Sequence, residues 1–475
     1  VGAASTWTDV STGNEHTCAR QVDGTLWCWG EGTTGQLGIG AWTSRDTPQQ
    51  VGSGTTWTTV TTGNRYSCAL RGGELLCWGN NNTWGTVHGQ LGIGDAGPQN
   101  SPVQVGTATN WTTVDGGLTH TCGLRADGTL WCWGQDQYGQ LGVGSTTRLS
   151  LPVQTDPSTT WTGPVGVGQS HSCAVRSDGT LWCWGSNHLG QLGVGDYTPR
   201  SSPAQVGTDT DWQTVTAGVD KTCARRLNGT LWCWGDNRYH LIGTGDPTGQ
   251  TTPAQVDASD WMSSSLAEHH ACAVRRSGSL WCWGQNHDGE LGTGDYTART
   301  TPTRIGTATD WTAVSLGYNH TCALRRGGTA WCWGANFAGQ LGTGAFAGRA
   351  TPTQVPGTSW TRLTAGGFHS CAVQRTGAAW CWGANWHGAT GTGQSANLTD
   401  PTQVGNDTDW TDIAAGYQHT CGVHADSTVS CWGANSRNEL GTGDTGDRYT
   451  PVDLPGVTGQ VIAGGSLAQH VVLTR

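Results

Sequence analysis

Charge is scarce in this sequence: only 12% of its 475 residues are Asp, Glu, Lys or Arg, and Lys221 is the sole lysine. Phosphate binding requires a concentrated Lys/Arg patch that displaces counterions, and the chain has no basic run and a net charge of −10. Nucleic acid is therefore excluded as a partner. Long apolar runs are missing as well; the longest are strand-sized, which predicts a soluble chain with no membrane span. No apolar stripe of helical period is present, so a helical solenoid is excluded. Met262 is the only methionine and the chain begins at Val1 without an apolar leader, so a mature or engineered chain whose signal peptide is gone is expected.

What is abundant is Gly (76), Trp (28) and Cys (18), arranged as a repeat. One unit runs from Trp111 to Gly144: Trp-Thr-x-Val, His120-Thr121-Cys122, an Asp127-Gly128 turn, Trp131-Cys132-Trp133-Gly134, and Gly139-Gln140-Leu141-Gly142-x-Gly144. Copies start near Trp7, Trp57, Trp111, Trp161, Trp212, Trp261, Trp311, Trp360 and Trp410, about fifty residues apart, and residues 460–475 read as a partial closing repeat. The whole of 1–475 is thus expected to be a single repeat domain. Each copy predicts four short strands, a at Trp-Thr-x-Val, b at His-Thr-Cys-Ala, c at Thr-Leu-Trp-Cys-Trp and d at Pro-x-Gln-Val, separated by turn residues. Four strands per fifty residues is the pattern of a propeller blade. The expectation is all-β: a β-propeller-like array of nine four-stranded repeats plus a half-repeat, closed with nine or ten blades, with an open superhelix as the alternative.

The b–c hairpin can be placed residue by residue. If Cys122 faces Cys132, its loop is Ala126-Asp127-Gly128, with Gly128 in the left-handed conformation that a three-residue hairpin needs. Ser427 is the one non-glycine at that position among eight such loops. In the second copy, Cys68 and Cys77 are nine apart rather than ten, and a two-residue Gly72-Gly73 turn keeps them opposed. Strand alternation then places Cys122, Cys132, Leu124 and Leu130 on one face, and Trp131 and Trp133 on the other, opposite Gly123 and Thr121. Both faces are expected to be apolar and sandwiched between neighbouring sheets.

The chemistry-bearing residues recur, which argues for structure. The cysteines come two to a copy: Cys18 with Cys28, Cys68 with Cys77, Cys122 with Cys132, Cys173 with Cys183, Cys223 with Cys233, Cys272 with Cys282, Cys322 with Cys332, Cys371 with Cys381, and Cys421 with Cys431. These pairs read either as zinc ligands with the nearby His or as cross-strand disulfides. Disulfides are favoured, because the unit lacks CxxC knuckles and a fourth ligand. Each closed loop is then worth roughly 2–3 kcal/mol. Eighteen cysteines also point to an oxidising location: extracellular, cell surface or periplasmic. His16, His120, His171, His270, His320, His369 and His419 all stand two before the first Cys, with Tyr66 and Lys221 in the other copies. A catalytic group is needed once, so these are read as structural hydrogen-bonders beside the sheet end. Gly-Gln-Leu-Gly-x-Gly lacks the Lys-Ser/Thr of a phosphate loop and reads as a tight turn. No catalytic residue, metal or cofactor is expected.

Departures from the repeat are the better candidates for function. Copy two inserts residues containing Trp84 and His88, copy eight places Trp386 and His387 at the same turn, and copy five and copy nine replace Gly-Gln-Leu by His240-Leu241-Ile242 and Asn438-Glu439-Leu440. Trp84, His88, Trp386 and His387 are the proposed binding residues, since exposed Trp and His on loops can anchor a partner or a glycan.

The phrase Gly-x-x-His-Thr-Cys-Ala-Leu-Arg-x-Asp-Gly-Thr-Leu-Trp-Cys-Trp-Gly-x-Asn-x-x-Gly-Gln-Leu-Gly resembles the repeat of the regulator of chromosome condensation family over nearly the entire chain. The resemblance implies a β-propeller, usually of seven blades, and a bias toward protein–protein contact; no residue of the family's nucleotide-exchange site maps by position. Paired cysteines in each copy, nine copies and an acidic composition set this chain apart within the resemblance. Together these readings give a secreted or cell-surface non-enzymatic binding scaffold for a protein partner, with a polysaccharide next. The alternatives are a self-assembling structural subunit of an extracellular filament or surface layer, and an enzyme whose site the sequence does not display.

Overall fold

The computed structural model describes residues 7–13, 15–83, 86–246, 249–256, 261–267, 269–436, 440, 442, 444–458, 461–463 and 472–474. The fold is all-β, of β-propeller type, and the described residues form nine four-stranded antiparallel blades, each with its strands in the order a-b-c-d. In the third blade these are Trp111–Gly116, His120–Arg125, Leu130–Gly134 and Leu149–Thr155.

The hairpin register follows the expected pairing. His120 faces Gly134, Thr121 faces Trp133, Cys122 faces Cys132 and Gly123 faces Trp131. Gly128 takes φ 78°, and Ser427, its counterpart in the last blade, is held at φ 71°. In the second blade Arg71 faces Glu74 across Gly72 and Gly73, so Cys68 still meets Cys77. The Gly of Trp-Gly has a separate job. Gly334 sits at φ 105°, where an added Cβ would lie 2.6 Å from the Asn319 carbonyl oxygen and 2.8 Å from His320 Cα. Both are backbone atoms, so Gly334→Ala is expected to cost about 3 kcal/mol through left-handed strain plus overlap, measurable by urea unfolding.

The blades fall into two compact units, one of residues 8–238 and 248–258, the other of residues 1–7, 239–247 and 259–475. In the first, the disulfide face of each blade packs on the indole face of the next: Cys68, Leu70, Leu75, Cys77 and Leu91 bury against Trp111, Val114 and Trp133. In the second the same arrangement joins Cys322, Leu324, Cys332 and Leu341 to Trp360, Ala372 and Trp382. Within a blade the opening Trp meets the Trp of Trp-Gly edge to face, as Trp111 does Trp133 at 6.0 Å and 67°.

One face differs from expectation. Trp131 is only half-buried, and the Arg125 guanidinium lies 4.0 Å from its ring centroid while its Nε1 donates to Thr129 Oγ1. The outer indole of each Trp-Cys-Trp is a half-buried rim residue because its strand end runs out of neighbouring blade to cover it, and at Trp131, Trp182, Trp232, Trp281 and Trp331 an arginine serves instead. In the second unit, Val461–Ala463 pairs antiparallel with Val472–Thr474 and lies against Trp410–Ala415 and His419–His424, as the a strand of a further blade does.

Candidate functional site

All nine cysteine pairs are disulfides between directly opposed residues, with Cα–Cα distances of 4.1–4.2 Å. In the first unit Cys18 is joined to Cys28, Cys68 to Cys77, Cys122 to Cys132, Cys173 to Cys183, and Cys223 to Cys233. In the second, Cys272 is joined to Cys282, Cys322 to Cys332, Cys371 to Cys381, and Cys421 to Cys431. Their sulfurs are thereby taken from zinc chemistry, and among the described residues no group of three His, Cys, Asp or Glu is placed to hold a metal.

The recurring histidines make what resembles a nucleophile–base pair. His320 Nε2 lies 2.9 Å from Ser370 Oγ of the next blade, and His120 Nε2 lies 3.0 Å from Ser172 Oγ. The polarity is wrong for catalysis. Ser370 Oγ donates its proton to the Gln340 carbonyl at 2.9 Å, so it accepts from His320 Nε2–H. A hydroxyl whose proton is committed to a backbone carbonyl is not activated by the imidazole. Burial, and secondarily the neighbouring His270 and His369, push the His320 pKa down to about 3, and burial takes His120 there too, keeping the rings neutral. The same Gln340 carbonyl accepts the Trp382 indole N–H at 3.0 Å. This carbonyl, in the Gly-Gln-Leu-Gly turn, thus receives both the hydroxyl and the indole of the following blade. The pattern recurs as Ser67 and Trp78 on Gln36, Thr121 and Trp133 on Gln90, and Thr420 and Trp432 on Ala389. Because the acceptor is a backbone oxygen, Ala389 serves in place of Gln and Leu241 still accepts from Trp283; what Ala389 gives up is the side-chain contact in which Gln340 Oε1 accepts the Ala338 amide at 2.9 Å.

Sequence reasoning located these histidines but missed their partner. The signal was present: a hydroxyl precedes the first Cys in every copy except one, Ala271, which belongs to the copy directly after Lys221. Where Tyr66 replaces His, its hydroxyl still meets Thr121 Oγ1 at 3.0 Å and the His120 carbonyl at 2.8 Å.

Asp115 and Asp136 are acids that depart from the repeat. Asp115, at the end of an a strand, receives the Val167 amide from the next blade at 3.1 Å; burial raises its pKa to about 6. Asp136 stands where seven copies have Asn. At Asn187, one of those seven, the amide Nδ2 donates to loop carbonyls (Asp196 O, 2.8 Å) and Oδ1 accepts the Leu192 amide. Asp136 keeps only the second role, from Leu141 at 2.9 Å, and burial raises its pKa to about 7.

Of the four loop residues singled out for binding, Trp84 lies outside the described residues. His88 is half-buried and its amide donates to the Asn81 carbonyl. Trp386 is 46% exposed. His387 Nδ1 is 2.8 Å from Asp447 Oδ2. The structure brings Trp386 and His387 together on one loop and joins Trp386 to Phe368 at 6.0 Å. The substituted turn of copy five is a true replacement: His240 takes φ 60°, the conformation of the glycine it displaces. Asn438 and Glu439 of copy nine lie outside the described residues.

Repeated four-stranded blades, stapled by an indole and a hydroxyl onto the preceding turn, define a propeller repeat protein. Residues 2–312 match the RCC1-like domain, and residues 311–340, 327–373, 376–423 and 410–439 match the regulator of chromosome condensation (RCC1) repeat; the chain belongs to the RCC1-like family. It is 30% identical over 200 residues to the ultraviolet-B receptor UVR8 of Arabidopsis thaliana, covering 41% of this chain and 44% of that protein. It is 29% identical over 208 residues to the probable E3 ubiquitin-protein ligase HERC6 of Homo sapiens, covering 42% and 20% respectively. The chain thus spans less than half the length of these relatives. Similar solved structures include yeast RCC1 (Prp20) bound to Kap60, at 20% identity, 71% and 86% coverage and a TM-score of 0.47. Another is the CRINKLY ectodomain of the Arabidopsis thaliana receptor kinase ACR4, at 18% identity, 74% and 99% coverage and a TM-score of 0.32.

Proposed function

We propose that this chain is a secreted or cell-surface, non-enzymatic scaffold that presents its inter-strand loops to a protein partner. The observation that carries the reading is the fate of the recurring reactive side chains. The cysteines are consumed in disulfides, and the buried histidines are neutral donors to hydroxyls whose own protons are committed to carbonyls. What remains for recognition is the exposed, non-repeating loop residues, of which Trp386 is an example. Nine disulfides favour an oxidising compartment, because a reducing cytosol keeps thiols free. A family in which one relative is a receptor is in keeping with a binding role.

The test is chemical crosslinking in the native extracellular fraction, followed by capture through a tag. A protein whose crosslinks map to the loops supports the scaffold. Recovery of the chain from the cytosol with free thiols, or capture of nothing but itself, contradicts it.

A further inference from the structure

The repeat fixes its tryptophans and makes little use of other aromatics; the sequence holds only three Phe and eight Tyr. Five of these eleven gather in one run, within the unit of residues 239–247 and 259–475. Phe368 is its hub, with ring centroids 5.5 Å from Phe337 and from Tyr417, 5.6 Å from Tyr318 and 6.0 Å from Trp386. From Tyr318 the run continues through His269 at 5.4 Å to Tyr239 a further 4.8 Å away. The rings come from two kinds of loop: the a–b loop before the buried histidine, and the c–d loop after Trp-Gly. Neither needs an aromatic for the fold, since Leu118, Gln169 and Gln137 belong to the equivalent loops of other blades. Phe337 is 58% exposed and Trp386 46%, so the run faces solvent at two points.

Carboxylates stand along this run. Asp288 accepts from Asn319 Nδ2 at 2.8 Å beside Tyr318, and Asp447 pairs with His387 beside Trp386. Among the described residues of these loops the one arginine is Arg238, next in sequence to Tyr239, and Asp236 holds it at 2.9 Å; Arg437 lies outside the described residues. Elsewhere the protein covers its rim indoles with its own guanidinium groups, Arg275 at 4.2 Å from Trp281 and Arg325 at 4.7 Å from Trp331. The run combines ring faces with carboxylates on a chain of net charge −10, which is the complement of a cation-bearing surface.

We propose that this run, from Tyr239 to Trp386 and Tyr417, is the docking site for an arginine- or lysine-bearing segment of the partner protein, with cations over the ring faces and near Asp288 and Asp447. It rests on the reading of the chain as a protein-binding scaffold, and names the chemistry of that partner.

The test uses the full chain and the peptide acetyl-Gly-Arg-Gly-Arg-Gly-Arg-amide, titrated by calorimetry at low and physiological salt. The same peptide with citrulline for arginine keeps the shape and removes the charge. Binding of the arginine peptide is expected, weakening with salt. Phe337→Ala and Trp386→Ala are each expected to weaken it roughly tenfold with unchanged melting temperature, because both side chains are exposed. Equal affinity for the citrulline peptide, unchanged binding by both variants, or saturable binding of a chito-oligosaccharide at the same rings overturns the proposal. A captured partner that binds Trp386→Ala and Phe337→Ala as well as the parent chain removes the docking site but leaves the scaffold. Peptide binding that needs these rings, with no partner captured, removes the scaffold reading and leaves the site.

Discussion

Removing a single bridge, by Cys122→Ala with Cys132→Ala, is expected to lower the unfolding free energy by about 3 kcal/mol. The bond closes a loop of ten residues, for which the chain-entropy estimate is close to that value. Loss of packing adds to it, since both cysteines are fully buried against Trp161 and Trp184 of the next blade. Nine such bridges together exceed the roughly 5–15 kcal/mol that typically separates a folded domain from its unfolded chain. Strong reductant is therefore expected to unfold the protein near room temperature, whereas a repeat array held by its hydrophobic cores alone would melt at nearly the same temperature with and without it. Thermal unfolding followed by Trp fluorescence, in the presence and absence of a phosphine reductant, reads the difference directly.

Asp136→Asn is expected to stabilise, and only at neutral pH and above. Burial raises the folded-state pKa of this carboxyl to about 7 from 3.8, so the native state holds a proton that the unfolded chain releases near pH 4. Stability from this site is complete below about pH 4, falls as pH rises toward 7 and stays low above it. Asparagine removes the titration and restores the amide donor that seven other copies carry. The full shift corresponds to about 4 kcal/mol; with half of that lost to solvent screening around the turn, the gain at pH 8 is about 2 kcal/mol, and at pH 4 it is near zero. Asn385→Asp, made at the same place in another blade, loses the Gln394 carbonyl contact at 2.6 Å and is expected to cost a similar amount at pH 8. Urea unfolding of the parent chain and both variants across pH 4–8 checks sign and window together.

The blade was legible because its constraints are local. Hairpin length, the left-handed position and two-residue side-chain alternation are all read within about twenty residues, so Gly128, Ser427 and the compensated Gly72-Gly73 turn could be placed from spacing alone. What crosses from blade to blade was harder to read. The carbonyl of Gln340 and the hydroxyl of Ser370 meet across a sequence separation of 30, and nothing in a backbone carbonyl marks it in sequence as the acceptor. The half-exposed outer indole was missed for a simpler reason: alternation assigns a face but not how far the neighbouring sheet extends over it. Arg125, at the end of its strand, was the available clue. The aromatic run was invisible because its members are scattered from Tyr239 to Tyr417 and only folding brings the two loop types together. Trp386 was marked out as an anomaly of copy eight; Phe368, the hub, was not, since an isolated Phe before a histidine carries no pattern.

The residues that look reactive are the brace of the repeat. Peptide mapping of the unreduced protein tests this most directly. Trypsin cleaves at an arginine between the two cysteines in eight of the nine copies, for example at Arg125 between Cys122 and Cys132, leaving the halves joined only through sulfur. The expected result is nine linkages, each within one copy and ten residues apart, or nine in the second copy. Free thiols, or linkages joining different copies, would contradict it.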